Sequence, residues 1–401
     1  MTESPASSIF QLSAGFLYAA SLTWAAYSHS VVWAIAGCVL YLVIKPERMP
    51  KWIYFVWAVG ALFLAWVQPS LSDDFQRYVW EGFVQTQGFD PYSLSPEDLM
   101  ARGLEHPSGP LVNHPHLPAI YPPLAQEMFW GMASIWPHWR MWKLLVLLIW
   151  LFTIWQIKSF RNMAFSPLVL IEGLWNAHLD VAALLLLMLA LHQISKTKAH
   201  TSGLGLAALI GIKTLPAIWV PFVWRRFNTR QGIALLFTCS LALLFLYLPY
   251  LRVGKDLFHS FLVYSQSWQF NNLLFFVLKP WVPAHVLRIL FGLALMASLG
   301  LIFRVRVASL NQELALVWLA LIVFSPTFYP WYLLWLVPLL PAKTVNGLFA
   351  SAMLSYLILI PYRASGIWQE TLWWLLPEWI GLTWCITSYI RKDILLEPHE
   401  R

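Results

Sequence analysis

Two adjacent aspartates, Asp73 and Asp74, follow directly on an apolar segment that runs from Trp52 to Val67. A carboxylate held where a helix leaves a membrane can act as a general base on a substrate delivered along the lipid. The other interpretation is structural, because an aspartate at a helix start accepts hydrogen bonds from the free N–H groups of the first turn. The pair therefore has both an acid–base and a helix-capping interpretation.

The composition of the chain around this pair is that of a membrane protein. The chain has 401 residues, 59% of them hydrophobic and only 11% charged, with a mean hydropathy of +0.62. Repeated apolar runs without a soluble stretch of domain size predict an all-α polytopic membrane protein, a single integral membrane domain over 1–401. The net charge of +7 does not indicate nucleic-acid binding, because the basic residues lie in short loops between apolar segments.

Hydropathy predicts about 12 to 14 transmembrane helices. The candidate spans are roughly 9–27, 31–45, 52–69, 142–158, 163–176, 180–194, 202–224 (broken), 232–250, 285–303, 312–326, 331–342, 345–361 and 371–390. The polar segment 1–8 lacks Lys and Arg, so we expect the first span to remain as an anchor rather than to be cleaved. Cys38, Cys239 and Cys385 lie inside apolar segments without a pairing pattern, so neither a disulfide nor a zinc site is expected.

The basic residues predict the topology. They fall in alternate loops, which the positive-inside rule assigns to the cytoplasm. These residues are Lys45, Arg48, Lys51, Lys158, Arg161, Lys196, Lys198, Arg225, Arg226, Arg230, Arg304, Arg306, Arg391 and Lys392. The rule holds only if 202–224 crosses twice or re-enters, with Lys213 and Thr214 at its outer turn. Both termini are then cytoplasmic, and every Asp except Asp393 is extracytoplasmic.

The longest stretch between spans, 71–140, is extracytoplasmic in this topology. It is predicted to hold a short helix over 74–87 and a second over 124–135. Proline and histidine crowd the chain between them, and proline this dense prevents long helices. We therefore expect a stiff loop over 106–123 that lies above a cavity.

The outward loops carry side chains of the kinds that hold sugars, namely amides and carboxylates for hydroxyl groups and flat rings for C–H faces. Lys213 and Arg363 are candidates to hold a phosphate. Arg77 and Glu81 are four residues apart, so an ion pair on the helix surface is their structural alternative. Trp and Tyr are also ordinary anchors at a membrane interface. The candidate substrate-binding residues are Arg77, Tyr78, Glu81, Tyr92, His114, His116, Tyr121, Gln126, Asn176, His178, Asp180, Lys213, Gln266, Trp268, Asn271, Tyr329, Trp331 and Arg363.

Metal and nucleotide chemistry are not indicated. His106, His114, His116 and His178 are potential metal ligands, but no helical H-x-x-x-H or H-E-x-x-H pattern is present. No glycine-rich phosphate loop and no cytoplasmic nucleotide-binding domain are visible either. We therefore expect no metal and no cofactor, and a donor other than a nucleotide sugar.

Three segments together resemble a known family. They are Asp74 to Gly82 (D-x-x-R-Y-x-W-E-G), Gly88 to Tyr92 (G-x-D-P-Y) and Tyr121 to Gln126 (Y-P-P-L-A-Q). They are similar to the first outer loop of C-fold integral membrane glycosyltransferases, in particular the bacterial polyprenol-phosphate-mannose-dependent mannosyltransferases. N-x-H-x-D at 176–180, K-x-x-P at 213–216 and P-T-x-Y-P-W-Y-L-L-W at 326–335 agree with it, so the resemblance covers about 70–340.

The resemblance implies transfer of a hexose, most often mannose, from a polyprenyl-phosphate donor to a hydroxyl of a lipid or glycan acceptor, with inversion and without a metal. It implies that Asp74 is the general base, with Asp73 as its neighbour or substitute. Two departures from the family are visible. Glu81 stands where relatives often have Asp, and two spans rather than one precede the span that leads to the acid.

Three other functions remain open. A transporter or flippase of a lipid-linked glycan would use the same outer loops, but should bury charges in mid-span and pair its broken helices. Only 202–224 looks broken, and Glu172 is the exceptional mid-span charge. A polymerase or ligase of surface polysaccharide would share the lipid donor, whereas a non-catalytic scaffold would have no need of outward acids.

Overall fold

The chain folds into helices. A computed structural model describes residues 5–44, 49–156, 160, 163–305, 307, 309–341, 347–350, 352–354, 357 and 370–389. Within those ranges it has no β-strand, only an isolated parallel bridge between Phe270 and Thr327. The prediction of an all-α fold is confirmed for this part of the chain.

The described α-helices are joined by short 3₁₀ and π segments. The α-helices are α1 (Pro5–Ser28), α2 (Val31–Val43), α3 (Lys51–Trp66), α4 (Asp74–Thr86), α5 (Pro96–Ala101), α6 (Pro123–Ile135), α7 (Trp139–Gln156), α8 (Asp180–Ser195), α9 (Ala199–Ile212), α10 (Val220–Trp224), α11 (Thr229–Tyr247), α12 (His259–Ser267), α13 (Leu273–Leu278), α14 (Ala284–Val305), α15 (Leu310–Phe324) and a last helix, Leu372–Tyr389. The 3₁₀ segments are Gly109–Leu111, Leu215–Trp219, Leu248–Phe258 and Pro330–Leu336, and Val169–Trp175 is a π-helix.

Long apolar helices make this an α-helical membrane protein. Among the described residues, three helical segments are long and apolar enough to span a bilayer, namely Ser7–Ser28, Thr229–Ser267 and Ala284–Val305. Only 11% of the α14 window is buried within the protein. An apolar helix with so exposed a surface requires lipid around it, because water would not solvate that surface.

Two of the predicted spans are not continuous α-helices. Residues 163–176 end in the seven-residue π-helix Val169–Trp175, and 331–342 begin in the 3₁₀ helix Pro330–Leu336. Both segments are mostly buried inside the protein, and hydropathy does not separate an apolar run buried in protein from one that faces lipid. Most of the predicted span 345–361 lies outside the described residues.

Sharp breaks in two helical stretches bring polar residues inside. Val169–Trp175 and Asp180–Ser195 meet at an angle of 109°, as a broken span or a re-entrant loop. The predicted break in 202–224 is confirmed, because α9 ends at Ile212 and Lys213 is extended with φ −149° and ψ 131°. The expectation that only 202–224 is broken is therefore wrong.

Two contacts fix the elements around the aspartates. Gly82 of α4 packs so closely against α6 that a Cβ there would lie 2.3 Å from the carbonyl oxygen of Phe129. Lys143 of α7 is buried and donates to the carbonyl oxygens of Leu64 and Trp175, at 2.8 and 2.9 Å, and to that of Val67. These are carbonyls at the ends of α3 and of the π-helix, so one ammonium group fastens both ends.

Candidate active site

The two aspartates lie at the start of α4, as predicted, but they do not cap it. Asp73 occupies the N-cap position with αR backbone angles and makes no side-chain capping bond. Instead, the side-chain amide of Asn113 donates to Oδ1 of Asp73 at 3.1 Å and to Oδ1 of Asp74 at 2.8 Å. The carboxylates are thus held by a neighbouring loop.

Arg77 holds that loop in place. Its guanidinium donates to the carbonyl oxygens of four loop residues, Asn113, His114, Leu117 and Pro118, at 2.9–3.3 Å. It also pairs with Glu81 at 3.0 Å, and both side chains are buried, so the ion pair expected on the surface is internal. With its donors occupied in this way, Arg77 organises the protein around the aspartates rather than offering a free charge to a ligand.

Glu81 continues the polar network beneath α4. Gln126 donates to its second oxygen at 2.6 Å, and Gln85 donates in turn to Gln126 at 3.1 Å. Burial raises the pKa of Glu81 to about 7, although the charge of Arg77 and the bond from Gln126 act in the opposite direction. The carboxyl group therefore titrates close to neutral pH inside the fold.

His178 faces Asp74 from the break between Val169–Trp175 and Asp180–Ser195. Its Nδ1 lies 3.6 Å from Asp74 Oδ2, and its Nε2 lies 3.0 Å from Glu172 Oε2. Glu172 also accepts a bond from the Asn176 amide at 3.2 Å. The imidazole thus stands between two carboxylates, one fully buried and one that is partly exposed.

A stack of four rings forms the wall behind this group. Trp331 stacks on His178 with ring centroids 3.9 Å apart, and Tyr329 stacks on Trp331 at 4.3 Å. Phe270 closes the stack on Tyr329 at 4.5 Å. Successive rings lie within 24° of parallel, so each of the two inner rings, Trp331 and Tyr329, is covered on both faces by its neighbours.

The aspartates open on a cavity of about 510 Å³. Polar groups line one part of it, and Leu215, Trp318, Leu321 and Ile322 line another. Nine of the predicted site residues line it, namely Asp73, Asp74, Arg77, His114, Tyr121, Lys213, Trp268, Tyr329 and Trp331. Residues predicted from segments far apart in the sequence therefore meet at one cavity.

Lys213 supplies positive charge to the cavity. Its ammonium lies 2.6 Å from Asp180 Oδ1, which also accepts from the indole of Trp335 at 2.6 Å. The same ammonium stands 4.2 Å from the ring centroid of Tyr332, whose hydroxyl bonds to that of Tyr264 at 2.9 Å. Lys213, Tyr264 and Tyr332 all line the cavity, so the cation and two hydroxyl groups are available to an anionic ligand.

The other predicted residues lie around the cavity rather than in its lining. Tyr78, Glu81, Tyr92, Gln126, Asn176, His178, Asp180 and Asn271 are buried behind it, whereas His116 and Gln266 are exposed. Asn271 bonds to Glu378, and the Tyr92 hydroxyl donates to the carbonyl of Tyr121 at 2.6 Å. Arg363 lies outside the described residues.

Several lining residues were not predicted. The polar ones are Ser72, Asn113, Thr214, Ser260, Tyr264, Gln269, Ser325 and Tyr332. Asn113, Gln269 and Tyr332 are each next to a residue that was chosen, so proximity to His114, Trp268 and Trp331 was the available signal. Glu172 appeared only as an exceptional charge in a span, and its contact with His178 requires the break before Asp180.

His114 lines the cavity beside the aspartates. His114 stands beside Trp268, with ring centroids 4.5 Å apart. Partial burial, and then the charges of Arg77 and His116, lower the pKa of His114 below its usual value. At neutral pH it therefore presents a neutral imidazole to the cavity.

The donor groups do not assemble as a metal site in the part of the chain that the structure describes. No group of three or more His, Cys, Asp or Glu side chains there is arranged to hold a metal ion.

Comparison with known proteins finds no matching family model, no matching curated protein and no matching solved structure. The function must therefore be inferred from the chain's own residues and geometry.

Proposed function

We propose that the protein is a membrane glycosyltransferase of the C-fold type, with about 12 to 14 spans and cytoplasmic termini. Its substrate-facing loop, 71–140, lies on the extracytoplasmic side. The reaction is transfer of a hexose, with mannose preferred, from a polyprenyl-phosphate carrier to a hydroxyl of a lipid or glycan acceptor. The motifs at 74–82, 88–92 and 121–126 support the family, and the distribution of basic residues supports the topology.

One observation carries the proposal. The cavity that is lined by the Asp74 carboxylate is also lined by the Lys213 ammonium and by a run of aromatic rings. A base and a cation are the groups that transfer from a sugar phosphate requires. The apolar lining from Leu215, Trp318, Leu321 and Ile322 suits the start of a prenyl chain.

The chemistry needs one base and one stabilised leaving group. Asp74 takes the proton from the acceptor hydroxyl, whose oxygen then forms a bond to the anomeric carbon. The bond from that carbon to the phosphate oxygen breaks, and its electron pair leaves with the polyprenyl phosphate. Lys213 stabilises the added negative charge, so no general acid is needed. Asn113 donates to the carboxylate and orients it, and His178 lies on its other side at 3.6 Å.

A transfer assay tests the proposal. Purified protein in nanodiscs is given radiolabelled polyprenyl-phosphate-mannose or polyprenyl-phosphate-glucose and a lipid extract from the host, with and without EDTA. We expect labelled product from the native protein, survival in EDTA, and loss with Asp74→Asn. Loss with Asp73→Asn alone moves the base by one residue. No transfer from either carrier by folded native protein overturns the proposal.

The broken segments favour a second candidate, a transporter of a lipid-linked glycan. The break before Asp180 and the break at Lys213 meet through the 2.6 Å ion pair between those residues. Paired broken helices with internal charges are typical of carriers. Movement of labelled carrier lipid between leaflets of proteoliposomes, without any new glycosidic bond, would support this candidate.

A further inference from the structure

A single amide group joins the two aspartates. Nδ2 of Asn113 lies 3.1 Å from Asp73 Oδ1 and 2.8 Å from Asp74 Oδ1. Adjacent carboxylates repel each other when both are ionised, and a shared N–H donor offsets that repulsion. With Oδ1 of Asp74 held in this way, Oδ2 is left beside His178, at 3.6 Å.

Asn113 is itself held in place. Its carbonyl oxygen accepts from Arg77, and the next residue, His114, has a left-handed backbone with φ +48°. A non-glycine residue in that conformation is unfavourable unless its surroundings enforce it. Arg77 donates to the carbonyl oxygens of both Asn113 and His114. Ser260 of α12 donates to the Pro118 carbonyl oxygen at 2.9 Å. The loop backbone is thus enforced from two elements.

We propose that Asn113 is a positioning residue, held by Arg77, that orients the Asp74 carboxylate and offsets its repulsion by Asp73 through a shared N–H donor. The proposal rests on the proposed function, because it assigns Asn113 a part in the same transfer reaction. It adds a residue from the proline-rich loop to a site whose acid comes from α4. The strained loop backbone then serves to aim one amide group.

Other charged and titratable groups also face Asp74. They lie on α4 and at its start, in the loop before α6, at the break before Asp180 and on α12. These groups are Asp73, Arg77, Tyr78, Glu81, His114, Tyr121, His178 and Tyr264. None of these is altered by a substitution at position 113. A change in the titration of the aspartates in an Asn113 variant therefore reports the lost amide.

The first test measures kcat, KM and the pH profile of transfer for Asn113→Ala and Asn113→Asp. Asn311→Ala is the matched control, since Asn311 is exposed in the first turn of α15. We expect kcat to fall about tenfold in the alanine variant and about 100-fold in the aspartate variant. The donor KM should stay within about twofold, and the acidic limb of kcat should move to higher pH. An unmoved limb in both variants overturns the proposal.

The second test does not depend on activity. A water-soluble carbodiimide with an amine modifies carboxyl groups, and protonated carboxyls react fastest. Mass spectrometry of the peptide with Asp73 and Asp74 follows this reaction against pH. We expect modification at higher pH in Asn113→Ala than in the native protein. This result is expected even if neither polyprenyl-phosphate-mannose nor polyprenyl-phosphate-glucose serves as a sugar donor. Identical pH curves overturn the role of Asn113, whereas shifted curves with no transfer by native protein overturn only the proposed function.

Folding is checked by size exclusion and thermal unfolding. Asn113→Asp adds a third carboxyl group, whose charge shifts the titration of its neighbours by itself. Asn113→Leu keeps the size of the native side chain and removes the donor without adding a charge, so it decides the matter if the alanine variant does not fold.

Discussion

Two carboxylates in this protein, Asp74 and Glu313, are held in opposite ways. Glu313 is fully buried and contacts the guanidinium groups of Arg225 and Arg226. Those arginines also donate to carbonyl oxygens of Phe303 and Val307, so the cluster ties the end of α10 to the segment between α14 and α15. Asp74 faces a neutral amide and an imidazole, and about 21% of its side chain is exposed to the cavity.

The difference separates a carboxylate enclosed by two cations from one that is open to a ligand in the cavity. Two guanidinium groups contact the fully buried Glu313 carboxylate, so it is enclosed by the protein and no substrate can reach it. The Asp74 carboxylate keeps lone pairs that a substrate proton can approach. Both are acids in an apolar protein, and exposure to a cavity is what distinguishes them. Substitutions at these two sites should therefore have different effects.

The largest effect is expected for Asp74→Asn. The amide keeps the shape but is no longer a base, so we expect the transfer rate to fall about 1000-fold. The apparent melting temperature should change little, because the new amide oxygen can still accept the bond from Asn113 and the contact with His178 is long, at 3.6 Å. The rate of sugar transfer and thermal unfolding in detergent check both. A rate within tenfold of the native value would contradict the assignment of the base.

Glu313→Gln should show the reverse pattern. Removing the charge leaves two guanidinium groups near a buried neutral amide, which costs about 3 kcal/mol of folding free energy. The folded fraction should transfer sugar at close to the native rate. Unfolding in a denaturing detergent measures the first effect, and the transfer assay normalised to folded protein measures the second. A native stability would show that the cluster is not structural.

Lys213→Met tests the cation of the cavity. Losing one charge-assisted contact to the leaving phosphate should lower kcat/KM about 100-fold. Lys213→Arg keeps the charge, so it should recover most of the loss. Because Asp180 loses its partner in the methionine variant, melting temperatures of both variants are needed. Equal activity of the two variants would exclude a role for charge at this position.

The smallest effect concerns Glu81 and pH. Its folded-state pKa of about 7 is above the ordinary value of 4.5, so the native state binds the proton more tightly than the unfolded chain. Stability should therefore be highest below pH 4.5 with respect to this group and should fall as pH rises from 4.5 to about 7. In Glu81→Gln this part of the dependence should disappear. Melting temperatures of the native protein and of Glu81→Gln, measured over that pH range, check this. An equal decline in both proteins would contradict a contribution from Glu81.

The sequence predicted the elements that local chemistry determines. The starts of α4 and α6 and the break at Lys213 lie where an aspartate pair, a Pro-Pro step and a nearby proline predicted them, although Asp73 does not cap α4. The segments 163–176 and 331–342 were predicted as spans, because their apolar character is the same whether protein or lipid surrounds them. Their internal position depends on tertiary packing, which hydropathy does not contain.

The sequence allowed the residue types of the candidate site to be predicted, but not the contacts between their side chains. Asp74, Lys213 and Trp331 were chosen from separate loops, and they line the same cavity. The bond from Asn113 depends on the loop backbone that Arg77 holds, so no spacing in the sequence indicates it. The contact between His178 and Glu172 likewise requires the broken segment.

The buried ammonium of Lys143 has a consequence for motion. It bonds Val67, six residues before Asp73, and Trp175, three residues before His178. Asp74 and the imidazole beside it are thus on two chain segments that share one anchor, although about 100 residues lie between them in the sequence. We expect a displacement of one segment to carry the other with it, because the same ammonium group is bonded to both.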